Sequence, residues 1–245
     1  MQNRNYSEMY NEAIILAGGL GTRLSSIVKD VPKPMAQING RPFLDYIFHF
    51  LHKNKIHKVV IAVGYKKEII KEYLNRTNTF EIEIEYSDEE EQLGTGGAIK
   101  QALKKIKNEA CFIINGDTYF DISLEDLKAF SKSKSAEISI GLKRLKNNSR
   151  YGSVCILPDN LISSFSEKDQ LHNDTILING GIYYIKTNIF DSYTMPEKFS
   201  LETEFFQNFC GVINAYGKIF DGTFIDIGIP GDFEYAQKLL KDVFQ

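Results

Sequence analysis

Short apolar runs alternate with stretches of helical periodicity through the first half of the chain. Ala13 to Ala17, Val59 to Val63 and Cys111 to Ile114 are too short and too uniformly apolar for amphipathic helices, so they read as strands buried on both faces. Between the first two, Phe43, Leu44, Ile47, Phe48 and Leu51 recur at helical spacing just after Pro42, a residue suited to a first turn. Lys66 to Leu74 reads as a second helix. Phe80, Ile82, Ile84 and Tyr86 alternate as in a strand, and Ile99, Ala102, Leu103 and Ile106 then mark one side of a helix with Thr95 as its expected N-cap. This rhythm predicts an α/β fold with a mostly parallel sheet flanked by helices.

After Asp117 the rhythm changes. Leu124 to Phe130 reads as a helix, the stretch from Glu137 to Tyr184 as mostly short strands broken by turns, and Phe233, Ala236, Leu239, Leu240 and Val243 as one side of a terminal helix over about 231–243. No repeat, low-complexity tract or linker interrupts the chain. The 245 residues fit one α/β domain, 1–245, with a first half over about 12–120 and a second lobe on the same sheet over about 121–245.

Composition narrows the function classes. With 43% hydrophobic and 25% charged residues the chain is ordinary globular material, and a net charge of −3 offers no positive field for a nucleic-acid backbone. The longest apolar runs, such as Val59 to Val63, are far too short to span a membrane, and the first twelve residues lack the apolar core of a secretion signal. Cys111, Cys155 and Cys210 are too few and scattered for a disulfide framework and fit buried thiols in a reducing compartment. A cytoplasmic protein without nucleic-acid or membrane partners is expected. A homo-oligomer is left open.

Candidate chemistry begins directly after the first strand, in Leu16-Ala17-Gly18-Gly19-Leu20-Gly21-Thr22-Arg23-Leu24. Three glycines let backbone N–H groups converge on phosphate oxygens, although they equally suit a tight turn. The loop is not a Walker A motif and lacks the third glycine of the dinucleotide fingerprint. Arg23 inside the loop, and Lys33 held between Pro32 and Pro34, add cations on restricted backbone. Together these segments resemble the signature of the sugar-phosphate nucleotidylyltransferases, which join a nucleoside triphosphate to a sugar 1-phosphate and release pyrophosphate.

The resemblance extends through nearly the whole chain. Leu93-Gly94-Thr95-Gly96-Gly97-Ala98 is similar to the family segment whose backbone reads the nucleobase, and Asn115-Gly116-Asp117 to its metal-binding turn. Asp226, within Phe224 to Gly228, matches the second metal carboxylate. Glu167-Lys168 and Asn179-Gly180-Gly181 are similar to the segments that hold the sugar and its phosphate. The short chain and the Gly-Thr-Gly-Gly form most resemble the branch acting on D-glycero-D-manno-heptose 1-phosphate with GTP. Mannose 1-phosphate with GTP, or glucose 1-phosphate with UTP, CTP or dTTP, are the alternatives. The product would be an activated sugar for surface polysaccharide synthesis.

Physical reasoning supports the same place. Gly18, Gly64 and Asn115 to Asp117 all follow apolar strands at their expected carboxyl ends, where ligands bind in open α/β sheets. Asp117 also fits a simple turn cap, but Asp226 between Ile225 and Ile227 is a carboxylate in apolar company that needs a partner such as Mg²⁺. A sugar 1-phosphate is already largely a dianion at neutral pH, so no general base is needed, and the task is to neutralise repulsion and leaving-group charge. The resemblance then implies Mg²⁺ on Asp117 and Asp226, Arg23 and Lys33 on the triphosphate, and the Leu16–Thr22 loop with Gly94 and Thr95 around the nucleotide. It likewise implies Lys168 on the sugar phosphate, with Glu167, Asn179 and Gly180 on sugar hydroxyls. Asp169 stands where the family often has proline, which places a negative charge beside Lys168.

Other features receive plainer readings. His49 and His52, three apart on a helix, are surface or packing residues, and Asp88 to Glu91 is a solvated acidic loop from which Glu90 or Gln92 remain candidate base contacts. Glu202 resembles a family position near the sugar lobe, while Ser200 with Thr203 or Glu204 equally fits a capping box. No Gly-x-Ser-x-Gly elbow exists. A glycosyltransferase, the first rival, usually carries two aspartates one residue apart, but Asp117 and Asp121 are four apart. A noncatalytic nucleotide-sensing module, the second, would not need Arg23, Lys33, Asp117 and Asp226 together.

Overall fold

The computed structural model describes residues 11–19, 24, 28, 30–77, 80–146, 151–166 and 175–244. In chain order, β1 (Asn11–Leu16) leads to a 3₁₀ turn at Lys33–Met35, the small hairpin β2 (Gln37–Ile38) and β3 (Arg41–Pro42), and α1 (Phe43–Lys53). Then follow β4 (Ile56–Val63), α2 (Lys67–Thr77), β5 (Glu83–Asp88), α3 (Gly94–Leu103), β6 (Ala110–Asn115), β7 (Thr118–Phe120) and α4 (Leu124–Ser133). The remainder contains β8 (Ile138–Lys146), β9 (Ser153–Ile156), β10 (Ile162–Ser166) and β11 (Thr175–Lys186). A π-helical turn at Leu201–Phe206 then runs into α5 (Gln207–Phe209), and β12 (Ala215–Phe220), β13 (Phe224–Asp226) and α6 (Pro230–Leu239) complete the order.

Seven strands form one sheet in the order β12-β8-β11-β6-β1-β4-β5. Every neighbouring pair is parallel except those involving β11, which is antiparallel to both β6 and β8. The uniformly apolar runs now have their reason: the sheet has a core on each face. Ala13, Ile15, Val59, Ile61, Phe112 and Ile114 face a layer built with α1, α2, α4 and α6. Their neighbours Ile14, Val60, Cys111 and Ile113 face a second layer containing Ile99, Ala102 and Leu103 of α3 and Leu201, Phe205 and Phe206 of the π turn. Strands sandwiched in this way bury both sides and lose the alternating pattern.

Several boundaries differ from the sequence reading. The expected run of short strands over 137–184 contains two long ones, β8 and β11, both inside the main sheet. β5 begins at Glu83, so Phe80 and Ile82 lie ahead of it. The terminal helix stops at Leu239. Pro42 stands at the N-cap of α1 rather than within its first turn. Cys155 is exposed on β9, contrary to the expectation of three buried thiols, because it occupies an outward position of a two-stranded hairpin. His49 packs its ring against Phe80 and Phe244, and His52 against Phe80.

Candidate active site

Four parallel strands deliver their carboxyl ends to one edge: β1 into Ala17–Gly19, β4 into Gly64, β5 into Asp88–Glu89 and β6 into Asn115–Asp117. The first of these segments is tied to both neighbours, with Ala17 N–H donating to Ala62 O at 2.8 Å and Gly116 N–H to Leu16 O at 2.9 Å. A cavity of about 380 Å³ opens here, within the range of small-ligand sites. Leu16 to Gly19, Lys33, Asp117, Gly94 and Thr95 all line it, so most described residues expected for nucleotide and catalysis converge. Gly21, Thr22, Arg23, Glu167 and Lys168 lie outside the described residues.

Lys33 opens the 3₁₀ turn that Pro32 initiates, and Met35 N–H closes that turn on Pro32 O at 2.8 Å. From it the ammonium reaches Asp117 Oδ2 at 2.7 Å. The expected cation and the expected metal ligand thus neutralise one another across the cavity. Asp117 is fixed further by Thr118 Oγ1, which donates to Oδ1 at 3.3 Å, and by its own carbonyl, which accepts from Ile227 N–H at 3.0 Å.

That last bond continues the ladder between β7 and β13, in which Asp226 is the partner of Thr118. The backbones of Asp117 and Asp226, 109 positions apart in sequence, are therefore neighbours at the end of one strand pair, although Asp226 does not line the cavity. Asp226 finds a protein partner of its own, since Oδ1 accepts the Gly228 N–H at 2.6 Å and the residue is half-buried, so its apolar neighbours alone do not call for a metal ion. Among the described residues no group of three or more His, Cys, Asp or Glu is arranged as a metal cage. Two hard oxygen donors fit Mg²⁺ better than zinc, since Mg²⁺ completes its shell with water and substrate phosphates rather than side chains.

The acidic loop is not uniformly solvated. Glu90 is exposed and Gln92 lines the cavity, but the carboxylate placed most deeply is Glu89. Its Oε2 accepts Leu93 N–H at 3.2 Å, and Oε1 lies against Gly18, filling the space a side chain there would take. Burial pushes the Glu89 carboxyl above the ordinary glutamate range, opposed by the Leu93 hydrogen bond. Its place immediately after β5, at the ligand-binding edge, was the available sequence signal. Lys198, which also lines the cavity, carried no such signal.

The glycines of α3 serve the fold as well as the cavity. Phe199 crosses the start of the helix and its carbonyl accepts from Gly96 N–H at 3.0 Å and Gly97 N–H at 3.3 Å; a Cβ on Gly96 would enter the Phe199 ring. Those two donors are therefore used internally, while Gly94 and Thr95 line the cavity. Thr95 is not an N-cap, a position held by Leu93. Its hydroxyl donates to Glu202 Oε2 at 2.6 Å and accepts Leu201 N–H at 2.9 Å. Ser200 Oγ accepts Thr203 N–H and Glu204 accepts Ser200 N–H, so the capping box forms while Glu202 points elsewhere.

Asn179 to Gly181 form a bulge in β11: Asn179 pairs with Leu142 and Tyr183 with Ile140, so three residues of β11 stand between these pairs against one of β8. Gly181 has φ +72°, a conformation that disfavours side chains. Asn179 Oδ1 accepts Gly181 N–H at 3.0 Å and Nδ2 donates to Tyr183 Oη at 2.7 Å, so its amide first shapes this bulge. Gly180 packs under Phe120, whose ring would stand 2.5 Å from an added Cβ. Neither residue lines the cavity.

Comparison with known proteins agrees with this geometry. The profile of the family described as "Nucleotidyl transferase" matches residues 12–242. The chain is 50% identical over 222 residues to a D-glycero-alpha-D-manno-heptose 1-phosphate guanylyltransferase of Campylobacter jejuni, covering 91% of this chain and 96% of that one. It is 46% identical over 231 residues to the protein of the same name from Aneurinibacillus thermoaerophilus, covering 94% and 98%. The crystal structure of HddC from Yersinia pseudotuberculosis complexed with GMP-PN superposes with a TM-score of 0.81 at 34% identity, covering 93% and 98%. With a family profile over nearly its whole length and these relatives, the chain belongs to the nucleotidyl transferase family and is a nucleotidyltransferase enzyme.

Proposed function

We propose that the protein transfers GMP from GTP to D-glycero-D-manno-heptose 1-phosphate, giving a nucleotide-activated heptose and pyrophosphate in the cytoplasm, as one catalytic unit over its length. The observation that carries the reading is the Lys33–Asp117 pair standing in the cavity at the sheet's carboxyl edge, with Asp226 one ladder step away. A phosphate oxygen of the sugar phosphate attacks the α-phosphorus of GTP, the bond from that phosphorus to the bridging oxygen breaks, and pyrophosphate leaves with the electron pair. No proton is moved because the attacking phosphate is largely dianionic. Asp117 and Asp226 would hold Mg²⁺, which supplies charge neutralisation between the two phosphate groups when bound.

Each residue of this chain then has a task. Lys33 exchanges Asp117 for the triphosphate and stabilises charge building on the leaving group. Arg23, Gly21 and Thr22 are assigned to the same phosphates, and Glu167 and Lys168 to the sugar and its phosphate, on the family resemblance. Asn179 and Gly180 shape the sugar side. Glu89 supports guanine over other bases: a carboxylate accepts both donors of the N1–H and N2–H₂ edge, an edge that uracil, cytosine, thymine and adenine do not present. The printed names of the two bacterial relatives support the heptose.

The test is pyrophosphate release from GTP, ATP, UTP, CTP and dTTP against heptose, mannose and glucose 1-phosphates, with and without Mg²⁺. Release greatest for GTP with heptose 1-phosphate, and abolished by chelation, is expected. No release with any pair favours a sensing module and refutes the reading.

A further inference from the structure

Glu202 receives no task in the reaction above and does not line the cavity, yet it accepts hydrogen bonds from three side chains. It stands on the π-helical turn Leu201–Phe206, a rare geometry that recurs at functional sites. One oxygen, Oε2, accepts Thr95 Oγ1–H at 2.6 Å and Ser200 Oγ–H at 3.1 Å. The other, Oε1, accepts from Tyr183 Oη at 3.4 Å. Thr95 belongs to the nucleotide-side wall of the cavity, whereas Tyr183 ends the β11 bulge on the sugar side.

The direction of each hydrogen bond is fixed. Tyr183 is fully buried, and burial together with the nearby Glu202 charge holds its hydroxyl far above the ordinary tyrosine range, so it stays protonated. It therefore donates to Glu202 and accepts from Asn179 Nδ2 at 2.7 Å, and Asn179 Oδ1 accepts Gly181 N–H. An unbroken chain runs from Thr95 through Glu202, Tyr183 and Asn179 to Gly181. Only an acceptor with two oxygens can occupy its centre, because donors face it from both sides.

We propose that Glu202 is a positioning residue that couples the two substrate sites, so that nucleotide contact at Thr95 tightens the Asn179–Gly181 bulge against the sugar phosphate, and the reverse. The inference rests on the functional reading in taking these two ligands as the pair and in placing the sugar beside the Asn179–Gly181 bulge. Reciprocity is required: each ligand must tighten the other by the same factor. An amide at this position keeps the Thr95 contact but turns an N–H toward the Tyr183 hydroxyl, donor against donor, and Tyr183 must then release Asn179.

The experiment measures the dissociation constant of heptose 1-phosphate by titration calorimetry, without nucleotide and with saturating α,β-methylene GTP, which cannot lose pyrophosphate. Wild type should show tightening of about 5-fold or more. Glu202→Gln and Tyr183→Phe should each bring the ratio close to one. A role confined to stability would lower the melting temperature or weaken both ligands while leaving the ratio at the wild-type value, and that result overturns the proposal, as does a wild-type ratio of one. If Glu202→Gln does not fold, Tyr183→Phe decides. If the GTP analogue does not bind, the functional reading has failed, and the ratio is measured with an unreactive analogue of the pair that the release assay identifies.

Discussion

Replacing Glu89 by Gln keeps the side chain's shape and removes its charge and half of its accepting capacity. Oε2 already receives Leu93 N–H at a long 3.2 Å and retains a lone pair, and Oε1 faces the Gly18 strand end. Glu89 lines the cavity, and its two oxygens are the proposed acceptors of the paired donors of guanine. An amide satisfies one donor and sets its own N–H against the other. Losing one charge-assisted hydrogen bond in a desolvated site costs about 1.5–3 kcal/mol, which is roughly a 10- to 100-fold fall in kcat/KM for GTP. The loss should fall on KM, because the base is held equally in ground and transition states. Uracil, with one donor beside an acceptor, suits the amide better, so kcat/KM for UTP should hold or rise. Steady-state kinetics with both nucleotides against one sugar 1-phosphate measures the ratio. An unchanged GTP-to-UTP ratio would refute the assignment of Glu89 to the base.

The same carboxylate makes a stability prediction with a defined sign. Its folded pKa is raised by burial, so between the ordinary glutamate value near 4.5 and that raised value the native state binds more protons than the unfolded state, and stability falls as pH rises. Ligand-free Glu89→Gln should therefore melt higher than wild type at pH 7 and show no such advantage below pH 4.5, as read by calorimetry at the two pH values. Asp117→Asn should lower kcat by at least about 100-fold with a small change in melting temperature, since the pair with Lys33 is partly exposed. Wild-type turnover would remove Asp117 from the catalytic machinery. Lys33→Met should lower kcat and leave the sugar phosphate KM nearly unchanged; an effect confined to the sugar phosphate would contradict its place on the triphosphate. Gly180→Ala places a methyl 2.5 Å from the Phe120 ring and 2.7 Å from Gly141 O. Overpacking of about 1–3 kcal/mol should lower the melting temperature by roughly 2–12 °C, and an unchanged melting curve would show that the bulge yields freely.

The sheet was legible because β1, β4 and β6 are buried on both faces and so are apolar without interruption, and the carboxyl-edge rule then located the cavity. Lys33 was legible from the two prolines that fix its turn. What the residues did not reveal depends on contacts distant in sequence. Glu89 looked like one member of a solvated acidic run, since only the Gly18 strand end and Leu93 N–H, brought together by folding, bury it. The glycines at 96 and 97 looked like ligand-facing backbone, but their N–H groups are taken by Phe199, about 100 residues later. Asp226 was legible through the family resemblance of Phe224 to Gly228; its local backbone partner Gly228 and the β7–β13 ladder that brings its backbone beside Asp117 were not. Glu202 was visible only through its resemblance to a family position near the sugar lobe, because the donors that claim it from α3 and β11 are distant in sequence.

The central claim is direct transfer of a nucleotidyl group between two phosphates, and ³¹P NMR of a single reaction mixture tests it most directly. With GTP, heptose 1-phosphate, Mg²⁺ and the enzyme, the paired doublets of a sugar nucleoside diphosphate should grow in equal amount with pyrophosphate, while GTP and the sugar monophosphate decline together. Formation of GDP with inorganic phosphate, of free GMP, or of no diphosphate diester at all would contradict it.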